Sequence, residues 1–231
     1  VHFSQADIKT IRQGIPGSTI DDVFLSVCGG ALRRYLSAKG ELPDESLRAL
    51  VPNTPNARII TKRKLPSGNE IGGIPIALCT DIQDPVERLH GVRARTQNAK
   101  QTADSLGLNL FQGLLDNLPE VAGRTLMRHA LLPLINISAV NVRGPEVPMY
   151  VAGARLVHFY PVGIATDGAG LSLSGFSYNG VLWISAVACR NMMPDPEYFI
   201  ECLRQSFSDL LEAAKFISAV RAASASPTSN A

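Results

Sequence analysis

No stretch of this chain approaches the roughly 20 consecutive apolar residues that a helix needs to cross a bilayer, although 45% of its residues are hydrophobic. Neither sign of charge dominates: 22 Lys and Arg stand against 20 Asp and Glu, a formal net charge of +2. That balance lacks the phosphate-neutralising stripe on which nucleic-acid binding depends, so no nucleic-acid partner is expected. Cysteine is sparse. Cys28, Cys79, Cys189 and Cys202 form no Cys-x-x-Cys pair and read as reduced thiols among apolar neighbours. His2, His90, His129 and His158 are scattered singly, so no metal site is expected, and the last three read as surface or packing residues. The opening residues show no basic region followed by an apolar run and a small-residue cleavage site, which makes the cytoplasm the expected location.

Familiar catalytic patterns are missing too. There is no Gly-x-Ser-x-Gly, no Gly-x-x-x-x-Gly-Lys and no paired histidine with a nearby acid. Asp167-Gly168-Ala169-Gly170 leads into a strand pattern rather than a helix, so it reads as a turn and not a phosphate loop. The densest positive run, Arg58-Ile59-Ile60-Thr61-Lys62-Arg63-Lys64, could meet coenzyme A phosphates or an anionic membrane surface, but reads first as a solvated loop.

What is present is a patterned chain of 231 residues, long enough to bury a full core. Ser4 opens a short amphipathic helix through Ile8 and Ile11, closed by a loop at 14–18. Thr19 is placed to cap a second helix, with Asp22 three residues on and Ile20, Val23, Phe24, Val27, Ala31, Leu32, Tyr35 and Leu36 at helical spacing. Gly29 and Gly30 interrupt its interior, which predicts close approach of another backbone. Short strands are expected at 47–51 and 71–80, with Pro75 disturbing the second. Asp84-Pro85-Val86-Glu87 starts a polar, superficial helix to about residue 103. Helical patterns follow at 106–115 and 119–132.

From residue 135 the period changes, and strands are expected at 135–142, 154–162, 171–178 and 181–189. Asn179-Gly180 predicts a tight antiparallel hairpin between the last two. A closing helix follows Pro194-Asp195-Pro196-Glu197, with Phe199, Leu203, Phe207, Leu210 and Leu211 on one face. The folded domain is expected to span 1–217, and the Ala- and Ser-rich 218–231 reads as a disordered tail. Helices and mostly antiparallel strands, segregated in sequence, predict an α+β layered domain.

Several segments, in order, resemble bacterial wax ester synthases/diacylglycerol acyltransferases. Thr19-Ile20-Asp21-Asp22-Val23-Phe24-Leu25, then Gly30-Ala31-Leu32-Arg33-Arg34-Tyr35-Leu36 and Leu47-Arg48-Ala49-Leu50-Val51-Pro52, resemble that family's Asn-Asp-Val helix and following strand. Gly68-Asn69-Glu70 with Thr80-Asp81 is similar to its Gly-Asn segment, and Asp84-Pro85-Val86-Glu87-Arg88-Leu89 to its Asp-Pro helix start. Val140-Asn141-Val142-Arg143-Gly144-Pro145 resembles its Ser-Asn-Val-Pro-Gly-Pro signature, and Ser177-Tyr178-Asn179-Gly180 its hairpin. Asp21 stands where the family usually has Asn, Val140 where it has Ser, and Arg143 where it has Pro.

The resemblance, from about residue 4 to 213, implies the C-terminal half of the coenzyme A-dependent acyltransferase (chloramphenicol acetyltransferase-like) sandwich. It implies transfer of a fatty acyl group from acyl-CoA, a co-substrate rather than a permanently bound cofactor, to a long-chain alcohol or diacylglycerol. The general-base histidine of the family's His-His-x-x-x-Asp-Gly motif is absent here and is expected in an N-terminal half, the partner of this one. On this half the resemblance points to Asp21 as a catalytic residue and to Asp22, Asn141, Gly144 and Pro145 as substrate-binding, with peripheral contact at membranes or lipid droplets. An ionised Asp21 can only accept hydrogen bonds and opposes a developing oxyanion, where Asn could donate. Two other readings share the fold: a non-catalytic lipid- or partner-binding relative, and a condensation-type acyltransferase with another acceptor.

Overall fold

Thr19 decides where the most deeply buried helix begins. Its hydroxyl accepts the Asp22 amide at 3.1 Å, while the Asp22 carboxylate accepts the Thr19 amide and hydroxyl, each at 2.8 Å. The helix α2 (Ile20–Lys39) ends at Gly40, whose φ of 69° is the left-handed conformation that glycine adopts without a Cβ clash. Gly29 lies against the backbone of Leu78: a Cβ there would sit 2.3 Å from its carbonyl oxygen. At Gly30 the intruders are side chains, the Ser206 hydroxyl and the Arg88 guanidinium.

The computed structural model describes residues 1–53, 72–106, 134–165 and 169–225, with positions 119, 122 and 125. The basic run at 58–64, the Gly68-Asn69-Glu70 segment, His129, Asp167 and Gly168 lie outside the described residues, as do nearly all of the helices expected at 106–115 and 119–132.

Among the described residues three further helices pack around α2. Ser4 caps α1 (Gln5–Gly14), accepting the Ala6 amide at 3.1 Å, and Ile8 and Ile11 fill the core. Asp84 caps α3 (Pro85–Leu106) by accepting the Val86 and Glu87 amides at 2.9 and 2.8 Å. The expectation of a superficial α3 is corrected: Leu89, Val92, Thr96 and Arg88 are all buried on its inner side. The last helix, α4 (Pro196–Ala225), buries Phe199, Leu203, Leu210 and Ala214. It runs past residue 218, where a disordered tail is expected, because an Ala-rich segment continues a helix at little conformational cost. Residues 226–231 lie outside the described residues.

Among the described residues six strands form one sheet: β1 (His2–Ser4), β2 (Arg48–Asn53), β3 (Gly72–Ala77), β4 (Ile137–Arg143), β7 (Leu171–Tyr178) and β8 (Val181–Ala188). Between β4 and β7 lies a small hairpin of β5 (Tyr150–Val151) and β6 (Ala154–Arg155). The sheet order is β1-β8-β7-β4-β2-β3. The sheet is mixed: β4 pairs in parallel with both β2 and β7, and the other pairs are antiparallel. Asn179 and Gly180, at φ 48° and 81°, make the tight turn between β7 and β8. Pro75 sits in the edge strand β3, where a missing N–H is tolerated.

The two sheet faces differ. Leu173, Leu182 and Ile184 point into the helical core. On the opposite face the chain at 156–165 crosses β7 and β8: Phe159 stacks on Phe176 at 4.0 Å, and His158 and Tyr160 meet Trp183 at 5.0 and 5.1 Å. The strand expected at 154–162 is therefore regular only at Ala154–Arg155, because the rest lies across the sheet rather than beside a strand.

Candidate functional site

Two residues singled out in the sequence, 120 positions apart, meet where the first turn of α2 faces the end of β4: the Asn141 amide Nδ2 donates to the Asp21 carboxylate at 2.8 Å. Ile137 and Ala139 turn one face of β4 into the core, and Asn141 continues that face toward the rim. Its Oδ1 is buried and has no hydrogen-bond partner among the described residues. Because an ionised Asp21 can only accept, the amide must turn its NH2 toward Asp21 and its oxygen inward. The oxygen lies over Gly175, its in-register neighbour on β7, where a Cβ would stand 2.6 Å from Oδ1 and 3.1 Å from the Phe24 ring. Gly175 thus makes the space for Asn141. Sequence reasoning did not name it, although a lone Gly inside an apolar strand signals a close approach.

The remaining expected residues shape this corner. Asp22 is buried and its carboxylate serves the α2 cap. Gly144 donates its amide to the Ser177 carbonyl at 3.0 Å, so close that a Cβ would come within 2.3 Å of that oxygen. The Pro145 carbonyl accepts the Asn179 amide at 3.0 Å. Gly144 and Pro145 therefore rivet the exit of β4 to the β7–β8 hairpin. Tyr178, buried next to them, accepts the Met149 amide at 2.8 Å and donates to the Leu156 carbonyl at 2.9 Å. Arg143 turns outward to an exposed pair with Glu146 at 2.6 Å.

No histidine among the described residues hydrogen-bonds to Asp21 or Asn141. His90 is exposed on α3. The pair supplies one acceptor carboxylate and one amide donor whose second N–H has no partner among the described residues, a group that can orient a carbonyl or hydroxyl.

Residues 67–211 match the family model described as the WS/DGAT C-terminal domain, that is, of wax ester synthases/diacylglycerol acyltransferases. The chain belongs to this family. Asn141, Gly144 and Pro145 fall inside the matched stretch of the WS/DGAT C-terminal domain, and Asp21 and Asp22 precede it. A putative diacylglycerol O-acyltransferase of Mycobacterium tuberculosis is 32% identical over 212 residues, which cover 88% of this chain and 45% of that protein. Among solved structures, the wax ester synthase/diacylglycerol acyltransferase of Marinobacter aquaeolei superposes with a TM-score of 0.73 at 28% identity, over 93% of this chain and 48% of that one. The epimerization domain of the third module of tyrocidine synthetase B, at TM-score 0.54 and 14% identity over 95% of this chain and 48% of its own, shares the fold alone. The expected α+β architecture, one half of a coenzyme A-dependent acyltransferase sandwich, is the one these neighbours have. This WS/DGAT C-terminal domain spans about half the length of the curated relatives it matches. No helix among its described residues is long and apolar enough to cross a membrane.

Proposed function

We propose that this chain is the C-terminal half of an acyl-CoA-dependent O-acyltransferase that makes wax esters or triacylglycerol from fatty acyl-CoA and a long-chain alcohol or diacylglycerol. The observation that carries the reading is the Asn141–Asp21 contact at the rim of a WS/DGAT C-terminal domain. In this reading a histidine of the N-terminal half takes the proton of the acceptor hydroxyl, whose oxygen attacks the thioester carbonyl. The C–S bond then breaks, coenzyme A leaves as the thiol, and the ester remains. Asn141 is placed to hold the polar head of a substrate, and Asp21 fixes which way its amide points. Gly144 and Pro145 shape the wall of the substrate tunnel. Acyl-CoA is consumed as a co-substrate, and no cofactor stays bound.

Side chains left uncovered between residues 147 and 164 support an N-terminal partner. Val147, Tyr150, Val151, Val157, Val162 and Ile164 are each more than 60% exposed, and a free-standing domain seldom shows so many apolar groups together. Peripheral contact with a membrane or lipid droplet, where such substrates reside, belongs to the same reading.

The test is reconstitution. The chain alone should give no ester from acyl-CoA and a long-chain alcohol, and adding the N-terminal half should restore it; turnover by the isolated chain would refute the division of labour. In the assembled enzyme Asp21→Asn should raise kcat, since an acceptor facing developing negative charge becomes a potential donor, and one such donor is typically worth about a hundredfold or more. An unchanged kcat would confine Asp21 to helix-start electrostatics.

A further inference from the structure

Three arginines that acyl transfer does not use converge on one cleft. Arg33 and Arg34 reach into it from α2 and Arg88 from α3, while Tyr198 and Asp209 of α4 close its other side, enclosing about 330 Å³ over Gly30. Arg88 is only 4% exposed. Its Nε and Nη1 donate to the carbonyls of Ser26, Ile82 and Gln83 at 3.3, 2.9 and 3.2 Å, and its Nη2 has no hydrogen bond among the described residues. Gly30 is what lets this guanidinium lie against α2: a Cβ there would stand 2.6 Å from Nη2. Arg33 is held by the carbonyls of Thr80 and Asp81 at 2.8 and 3.3 Å.

Counter-charge is short. Among the described residues Asp209 is the one acid lining the cleft, and it is already bonded to Arg34 and to the Gln205 amide. Asp84, the next acid whose charge reaches Arg88, is engaged in capping α3. Burial first, then Arg33 and Arg34, push the Arg88 guanidinium down to about 10, so it stays charged at neutral pH while its neighbours repel it. Keeping a buried cation without a carboxylate partner is costly unless a ligand supplies the missing charge.

We propose that this cleft binds a phosphate group carried as a phosphomonoester. Three guanidinium groups set against one carboxylate leave two positive charges, which match a dianion and exceed what a carboxylate would neutralise. Guanidinium forks present paired N–H donors to the oxygens of such a group. Gly30 lies about two and a half turns along α2 from Asp21, which places the cleft on roughly the opposite side of that helix. The proposal therefore stands or falls independently of the acyltransferase reading. The phosphate can come from a soluble molecule, such as a nucleotide-bearing cofactor, or from a lipid headgroup.

Inorganic phosphate titrated into the chain at low salt, followed by calorimetry, should bind saturably at one site. Arg34→Gln should weaken binding roughly tenfold, the effect of losing one charge-assisted contact, and Asp209→Asn should tighten it by releasing Arg34. Both positions are solvent-accessible, so these variants keep the fold, which thermal melts verify; Arg88→Met is avoided because Arg88 also ties three carbonyls. Co-sedimentation with phosphatidic acid vesicles, against phosphatidylcholine vesicles alone, then separates the sources. Sedimentation that inorganic phosphate competes away assigns a lipid headgroup. Phosphate binding without sedimentation assigns a soluble phosphomonoester. Absence of saturable phosphate binding, or equal binding by wild type, Arg34→Gln and Asp209→Asn, overturns the proposal.

Discussion

Replacing Gly175 by Ala tests whether the Asn141–Asp21 contact depends on an empty space in β7. The added methyl would stand 2.6 Å from Asn141 Oδ1, against an ordinary contact of at least 3.4 Å, so the amide must retreat by about 0.8 Å. That retreat breaks a hydrogen bond made at 2.8 Å, a net loss of about 1 kcal/mol. Contact with the Phe24 ring at 3.1 Å adds overpacking of about 1–3 kcal/mol. Against this, Ala in a strand regains about 0.5–1 kcal/mol of chain entropy. The balance is a destabilisation of about 1–3 kcal/mol, which for a chain of this size lowers Tm by roughly 3–10 °C. Thermal unfolding of Gly175→Ala, Asn141→Ala and the double variant measures it. Truncating Asn141 removes the obstructing oxygen, so Gly175→Ala should cost about 1 kcal/mol less in that background. Equal costs in both backgrounds, or a Gly175→Ala variant as stable as wild type, would refute the role assigned to Gly175.

Thiol chemistry should single out one cysteine. Cys189 is exposed, whereas burial raises the thiols of Cys28, Cys79 and Cys202, so an aromatic disulfide reagent should show one fast-reacting thiol per chain; a fast phase that survives Cys189→Ser would contradict this. Acid stability should expose Asp195, whose carboxyl is held below its usual range by the Tyr35 hydroxyl first and by Lys39, at 2.9 Å, second. A depressed folded pKa stabilises above the ordinary carboxylate value near 4 and is lost as pH falls below it. Wild type and Asp195→Asn should therefore differ in Tm above about pH 5 and approach each other as pH falls below the ordinary carboxylate value and through the depressed folded one; a difference that does not shrink on acidification would remove Asp195 from the acid response.

Local signals were legible where a few neighbouring residues decide the outcome. Thr19 with Asp22 marked the start of α2, Asn179-Gly180 marked the β7–β8 turn, and Gly29 announced a backbone approach that Leu78 makes. Long-range pairing was not legible. The parallel placement of β4 between β2 and β7 leaves no trace in the period of β4 itself. Arg88 looked like a surface charge because its partners are carbonyls at Ser26, Ile82 and Gln83, which carry no side-chain signature. At the candidate site, Asp21 and Asn141 were named through the family resemblance alone, and their contact depends on Gly175, in a third element. The apolar alternation after Arg155 was real, but it serves packing across a sheet rather than membership of one.

The edge strand β1 sets a timetable. Phe3 pairs with Leu182 and stacks on Phe207 at 4.0 Å, so β1 is anchored by two segments that lie far downstream of it in the chain. At a synthesis rate of about 5–20 residues per second, roughly 10–40 s pass before β8 exists to receive β1. Through that interval α1, which follows β1 without a break, lacks the α4 surface against which Gly14 is fitted. α1 and β1 must therefore wait for β8 and α4, and sheet closure follows the synthesis of β8 rather than that of β1.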